Sequence, residues 1–308
     1  ASCLVGSEMC IRDSTNAVPA GKIIRCWLPY PRQDQARQQD VKFISASEPQ
    51  YTFSSPECRH STLYMEKRAV EGEPTVFSET FEFTANGEWH NLKPEDVQPY
   101  DTTTALYKEY TAEREKHIVF SPRLRELAAK LTAGETNPYL KAKRIFRWVN
   151  DNFPWASARE YSTIENIPEY VLDNRHGDCG QVSLLFITLC RISGIPAHFQ
   201  SGFMMHPRAW NLHDWAEVYF EGVGWVPVDQ SFGIPAFARN ADEEYFFLGG
   251  IDSWRMIVNT DYGMPLQPEK QYPRSETVDF QRGEVEWEGG NLYFPQWDYH
   301  MDIDYLNY

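Results

Sequence analysis

The sequence contains no long uninterrupted apolar run. Its 308 residues are 42% hydrophobic, which is enough to form a packed core and more than one domain. Charged residues interrupt every apolar stretch well before the ~20 residues that a membrane-spanning helix needs. The sequence therefore predicts no transmembrane segment.

Positive charge is also scarce. The chain has 29 Lys and Arg residues against 44 Asp and Glu residues, and its formal net charge is −15. A surface of this sign repels phosphate backbones, so we predict no nucleic-acid partner. We expect the excess of acidic residues to serve solubility.

The six cysteines lack the spacing of common metal or redox motifs. No Cys-x-x-Cys is present, which argues against a zinc ribbon and a thioredoxin-type site. The histidines and cysteines of residues 176–213 match no standard zinc spacing either. We therefore predict no metal and no cofactor. Four cysteines either form one or two disulfides in an exported protein or stay reduced in a core: Cys3, Cys10, Cys26 and Cys58.

The amino terminus has neither an initiator Met nor a basic-then-apolar leader. One interpretation is an exported protein, periplasmic or extracellular, in which Ala1-Ser2-Cys3 resembles the end of a bacterial lipoprotein signal. Cys3 would then be the lipid-anchored residue. An ordinary trimmed terminus is the other interpretation.

The first hundred residues have the composition of strands. Apolar or alternating stretches bounded by Pro and Gly predict an antiparallel β domain, a sandwich, over residues 1–114. In residues 75–84, Phe77, Phe81 and Phe83 share one parity with Glu79, so the alternation is not clean. Residues 261–308 are predicted to be an extension that packs back on the core, with a hairpin at Gly289-Gly290.

Helical periodicity begins near residue 120 and defines a second domain over residues 115–260. Ser121-Pro122 and Asn137-Pro138 each combine an N-cap with Pro at the first helical position, and an apolar face follows each. A third apolar helix begins at Cys179 and ends at Gly194. Three strands follow it, and the last two form a hairpin through a glycine turn.

Cys179 lies in the first turn of that third helix, after Asp178 and before Gly180-Gln181. A helix amino terminus favours the thiolate, and its unpaired N–H groups can stabilise an oxyanion. Asp178 is expected to shape the pocket or tune the thiol, with an ordinary loop residue as the alternative. This position predicts a nucleophilic cysteine.

His213 and Asp229 complete the predicted chemistry. His213 opens one strand of the hairpin and Asp229 ends the other. Because paired strands lie ~5 Å apart, the Asp can reach the far nitrogen of the His and orient it. His213 would then be the base for Cys179. Trp215 shares the face of His213 and either lines the cleft or fills the core.

Four blocks in this region resemble the transglutaminase-like superfamily. They are His176-Gly-Asp-Cys-Gly-Gln181, Gly194-Ile-Pro-Ala197, His213-Asp-Trp-Ala-Glu-Val-Tyr219 and Gly224-Trp-Val-Pro-Val-Asp229. The resemblance covers about a third of the chain, roughly residues 121–233. It implies an α+β class, a papain-like core with a Cys179, His213 and Asp229 triad, added here to an amino-terminal antiparallel β domain.

The resemblance also implies a second oxyanion donor, a Trp, Tyr or Gln side chain. No Gln stands shortly before Cys179, as the papain pattern requires. Trp155 is the candidate, and a core Trp is the alternative.

The reaction stays open at this level. Hydrolysis of a peptide or amide bond is the first prediction, and transamidation of protein glutamine is the second. The third is a catalytically silent module that binds peptide or glycan. A protein or peptide substrate is the expected partner.

Overall fold

The computed structural model describes residues 2–157 and 159–307. The strands of this part are β1 Ser2–Asp13, β2 Ile23–Pro29, β3 Gln38–Ala46, β4 Tyr51–Phe53, β5 Thr62–Arg68, β6 Val76–Asn86, β7 Glu88–Trp89, β8 Ala197–Met204, β9 Asn211–Phe220, β10 Gly224–Val228, β11 Gly250–Ile251, β12 Arg255–Thr260, β13 Glu284–Trp287, β14 Gly290–Leu292 and β15 Trp297–Asn307. The helices are α1 Ala105–Tyr110, α2 Pro122–Leu131, α3 Pro138–Asn152, α4 Ile167–Asn174, α5 Cys179–Ile192 and α6 Ala241–Glu244.

The chain divides into two compact units. The first contains Ala1–Gly87, Ser201–Leu212 and Ser253–Tyr308, and the second contains Glu88–Gln200 and His213–Asp252. This division differs from the predicted boundaries at 114 and 260. Strand pairing between distant segments causes the difference, because β13 joins β2 and β15 joins β1. The predicted carboxyl-terminal hairpin is present as β13 and β14.

The first unit is a β-sandwich of two antiparallel sheets. One sheet has the order β15-β1-β6-β3 and the other β14-β13-β2-β5-β4. Residues from both sheets form one buried apolar cluster, which includes Trp27, Met65 and Phe81. Burial of alternate residues on strands such as β1 and β6 explains the period-two pattern of the sequence.

Strand β6 shows how strictly this period is kept. Phe77, Phe81 and Phe83 are buried, and Glu79 is buried with them because it has the same parity. The alternation in the sequence is uneven because an acid, Glu79, occupies a core position.

The cysteines of this unit are not joined. All six cysteines of the chain are unpaired, including the four that could have formed disulfides. Cys3 lies within β1 opposite Ala85 and is 1% exposed. A lipid anchor on Cys3 conflicts with this position, because the sandwich core encloses its side chain.

The helices of the second unit begin where the sequence predicts them. The side chains of Ser121 and Asn137 accept hydrogen bonds from the main-chain N–H groups of Leu124 and Leu140, and Pro is the first residue of both α2 and α3. Such caps satisfy N–H groups that have no partner inside the helix. Both helices pack against α5.

Helix α5 is the centre of this unit. Every residue from Gly180 to Arg191 is buried, which fixes the position of its first turn. After α5 along the chain, β8, β9 and β10 are neighbours in one sheet, in the order β10-β9-β8. Strands β9 and β10 form the predicted hairpin, with Val228 opposite Ala216.

Candidate active site

The first turn of α5 is held by a reciprocal cap. Asp178 accepts a hydrogen bond from the Gln181 main-chain N–H at 3.1 Å through Oδ1. Gln181 accepts one from the Asp178 main-chain N–H at 3.2 Å through Oε1. This capping box places Cys179 at the first position of a buried helix. Asp178 and Gln181 therefore act here by fixing the helix end.

Tyr161 lies directly against this turn, in the short 3-10 helix Tyr161–Thr163. Its hydroxyl is 2.6 Å from Asp178 Oδ1 and 3.3 Å from Asp214 Oδ2, and it accepts the Gly180 main-chain N–H at 3.2 Å. A Cβ atom on Gly180 would come within 2.4 Å of the Tyr161 hydroxyl. Only glycine permits this close approach.

These contacts change the expected role of the helix end. The main-chain N–H groups of Gly180 and Gln181 already have partners, Tyr161 and Asp178. The prediction that these N–H groups stabilise an oxyanion does not fit this arrangement. The local cap occupies the Gln181 N–H, and the tertiary contact with Tyr161 occupies the Gly180 N–H.

Cys179 is partly buried, and its thiol donates to Asp214 Oδ2 at 3.4 Å. Burial raises the pKa of the Cys179 thiol well above its usual range, and the carboxylates of Asp214 and Asp178 raise it further. The sequence predicted the opposite direction from the helix amino terminus. The half charge of a helix end is weaker here than desolvation together with two nearby carboxylates.

His213 and Asp229 lie in direct contact. His213 Nε2 is 2.8 Å from Asp229 Oδ2, and Asp229 Oδ1 accepts the Phe232 main-chain N–H at 3.0 Å. Asp229 is 0% exposed. The predicted contact across the hairpin is therefore present, because β10 ends at Val228 and carries Asp229 alongside the start of β9.

This contact defines which nitrogen of His213 can act as a base. A carboxylate accepts the Nε2 hydrogen bond, so Nε2 carries the proton and Nδ1 is the nitrogen that can accept one. The ring is packed edge to face against Phe232 at 5.3 Å between centroids. Asp229 and Phe232 together fix the tautomer and the orientation of the imidazole.

The two tryptophan candidates differ in burial. Trp215 is fully buried and donates its indole N–H to Gln200 Oε1 at 2.6 Å, so it belongs to the core. Trp155 is 60% exposed, and its main chain bridges to Gly177 in the loop before Cys179. Trp155 is therefore a surface residue next to the loop that precedes Cys179, and the alternative of a core Trp is wrong.

Asp214 and Tyr161 are site residues that sequence reasoning missed. Asp214 is 1% exposed and follows His213 in a strand whose inner positions are otherwise apolar. An acid at such a position is a signal that could have been used. Tyr161 lies in a 3-10 helix of three residues, which has no periodic signal in the sequence, so its position beside Cys179 is set by the tertiary fold.

The part of the chain that the structure describes has two further properties. No group of three or more His, Cys, Asp or Glu residues there is arranged to hold a metal ion. None of its helices combines the length and the apolar character required to cross a membrane.

Comparison with known proteins identifies the class. Residues 125–230 match the family model of the Transglutaminase-like superfamily. A crystal structure described as that of a candidate cysteine protease from Cytophaga hutchinsonii superposes with a TM-score of 0.62 at 15% sequence identity, covering 100% of this chain and 92% of that one. The chain is thus an α+β protein with a papain-like transglutaminase core and an antiparallel β domain.

Curated relatives match part of the chain. Protein YebA of Bacillus subtilis, described as uncharacterized, is 27% identical over 140 residues, which are 39% of this chain and 19% of YebA. A protein-glutamine gamma-glutamyltransferase of Pseudomonas aeruginosa is 23% identical over 125 residues, 37% of this chain and 19% of that protein. The chain matches about a fifth of the length of each. Over residues 125–230, the chain is similar to the transglutaminase-like superfamily.

Proposed function

We propose that this protein is a cysteine hydrolase that cleaves peptide or amide bonds through an acyl-thioester. One arrangement carries the proposal. Cys179 Sγ contacts Asp214, while His213, the residue before Asp214, is hydrogen-bonded to Asp229. The thiol thereby contacts the residue next to an oriented imidazole, which supports nucleophilic acyl transfer with His213 as the base.

The proposed first half-reaction forms the thioester. The Cys179 thiol gives its proton to His213 Nδ1, and the sulfur attacks the substrate carbonyl carbon. The C–N bond then breaks, and the leaving amine takes the proton from Nδ1. Asp229 stabilises the imidazolium that exists between these two proton transfers. Trp155 is the proposed side-chain donor to the oxyanion, since it is exposed and its main chain pairs with Gly177 in the loop before Cys179.

The second half-reaction releases the acid. His213 Nδ1 removes a proton from water, the hydroxide adds to the thioester carbonyl, and the C–S bond breaks. The proton on Nδ1 returns to the sulfur, so the thiol is restored. No metal or cofactor enters these steps, which remains a prediction.

Transamidation is the second candidate, because the Pseudomonas aeruginosa relative is named as a protein-glutamine gamma-glutamyltransferase. In that reaction an amine replaces water in the second half-reaction. The two candidates share Cys179, His213 and Asp229 and differ only in the acceptor.

A silent binding module for peptide or glycan is the third candidate. The raised pKa of the Cys179 thiol favours it, because a neutral thiol is a poor nucleophile. An exported location stays a prediction.

One assay distinguishes the three candidates. A glutamine-containing peptide is incubated with the protein, with and without a primary amine, and the products are identified by mass spectrometry. Cleaved or deamidated peptide supports hydrolysis, an amine adduct supports transamidation, and unchanged peptide supports the binding module. Cys179→Ala should abolish either product. Cys58→Ala, a partly buried cysteine of the first unit, is the matched control and should keep full activity.

A further inference from the structure

Asp214 contacts the sulfur that the proposed reaction uses. Its Oδ2 atom lies 3.4 Å from Cys179 Sγ, and its main-chain N–H also hydrogen-bonds to the sulfur. The side chain is 1% exposed. A buried carboxylate at this distance disfavours a second negative charge on the sulfur, because little water screens the repulsion.

Tyr161 connects Asp214 to a second carboxyl group. Its hydroxyl oxygen lies between Asp178 Oδ1 at 2.6 Å and Asp214 Oδ2 at 3.3 Å, and it accepts the Gly180 N–H. A phenol has one proton to donate, so it cannot satisfy both carboxylates at once. The shorter distance assigns that proton to Asp178, and Asp214 Oδ2 lies beside the thiol.

The groups around the sulfur come from three elements. Asp178 belongs to the cap of α5, Tyr161 to its own 3-10 helix, and His213 and Asp214 to β9. His176, in the loop before the cap, turns Nδ1 to the main-chain carbonyl of Asn174. The negative members of this set are therefore the two carboxyl groups, and both act against ionisation of Cys179.

We propose that Asp214 is a further catalytic group, which holds Cys179 as the neutral thiol through the network with Tyr161 and Asp178 and so sets the pH at which the site becomes reactive. This inference rests on the proposed role of Cys179 as nucleophile. In the resting site the S–H bond points at Asp214 Oδ2, and activation turns the same proton to His213 Nδ1. Asp214 thus makes the thiolate dependent on that transfer.

The pH profile of alkylation tests the proposal. Cys179 labelling by iodoacetamide is followed from pH 5 to pH 10 by mass spectrometry of its peptide. In Asp214→Asn, the isosteric neutral residue, we expect the midpoint to move to lower pH by at least about one unit, and labelling at pH 7 to rise about tenfold. Asp178→Asn still caps α5 and should move the midpoint in the same direction by less, because Asp178 does not touch the sulfur.

Asp173→Asn is the matched control. It removes one negative charge from α4 in the same unit, where Asp173 is exposed and paired with Arg123. Its profile should coincide with that of the wild type. Cys190, buried in α5, reports unfolding, because its labelling shows that the helix has opened. If iodoacetamide labels Cys190 in Asp214→Asn, that variant has unfolded, and the Asp178→Asn profile alone then tests the proposal.

An unchanged midpoint in the folded variant, or a shift no larger than that of Asp173→Asn, overturns the proposal. Alkylation needs no substrate turnover. A protein that cleaves no amide but still shows the shift therefore refutes the proposed function, while the effect of Asp214 on the thiol is confirmed; an active protein without the shift refutes only this inference.

Discussion

Each compact unit buries a carboxyl group completely, and the two groups differ in their partners. Glu79, in the sandwich, is 1% exposed, and neither of its oxygens has a hydrogen-bond partner among the described residues. Burial raises its pKa well above the usual range, so it is held in the neutral form. Asp229, in the second unit, is 0% exposed and accepts hydrogen bonds from His213 and the Phe232 N–H.

The comparison separates burial from function. Glu79 is buried because of its position in the strand, and neither of its oxygens is hydrogen-bonded among the described residues. Asp229 is buried against a titratable ring, whose protonated form a carboxylate stabilises. An acid in a core therefore indicates a site only when a second polar group lies within hydrogen-bond distance of it.

The strongest test of this comparison is the effect of each acid on the proposed reaction. Asp229→Asn should lower kcat/KM about 10³- to 10⁴-fold, because the neutral amide no longer selects the Nε2–H tautomer of His213. Glu79→Gln should leave kcat/KM unchanged. A small loss in the first variant, or an equal loss in both, breaks the distinction.

A substitution of Glu79 should affect stability and not activity. Glu79→Met replaces an acid that lacks partners by an apolar side chain of similar size, and we expect the free energy of unfolding at neutral pH to rise by about 1–3 kcal/mol. The measurement is chemical denaturation followed by tryptophan fluorescence.

The sign of the pH dependence gives a second criterion for Glu79. Its folded-state pKa is raised, so the folded wild type binds a proton that the unfolded chain releases above about pH 4. Wild-type stability therefore falls as pH rises, and the advantage of Glu79→Met should grow from pH 4 to pH 7. A constant advantage, or a less stable variant, would contradict the assignment of Glu79 as a buried neutral acid.

Asp178 combines features of Glu79 and Asp229, and its substitution should have the smallest effect on stability. It has hydrogen-bond partners, yet burial raises its pKa to about 6. The wild type should lose stability between about pH 4 and pH 6, as the folded state gives up a proton that the unfolded state has already lost. Asp178→Asn keeps the cap. In this variant the denaturation midpoint should no longer fall between about pH 4 and pH 6. If both proteins show the same slope, Asp178 does not titrate there.

Much of this site could be predicted because its signals are local. Asn137-Pro138 and the cap at Asp178 mark helix starts within four residues, and the glycine turn aligns His213 with Asp229. Contacts between distant segments could not be read in this way. Strand β1 pairs with β15 nearly 300 residues later, and neither strand was predicted on its own.

The error about the thiol has the same origin. The helix end that should lower the pKa of Cys179 is a local feature, whereas Asp214 arrives from another strand and raises it. The exposure of Trp155 could not be predicted either, since a tryptophan after a helix can lie in a core or on a surface. Local patterns thus identified the candidate residues, and the tertiary structure determined the electrostatics around Cys179.

Trapping the acyl-enzyme tests the central claim most directly. A peptide substrate is mixed with the protein, the reaction is quenched with acid within its first turnover, and the acylated residue is mapped by mass spectrometry. We predict a single acyl adduct on Cys179, which is lost in Cys179→Ala and strongly reduced in His213→Ala. Acylation of another residue, or turnover that continues without Cys179, would contradict the account.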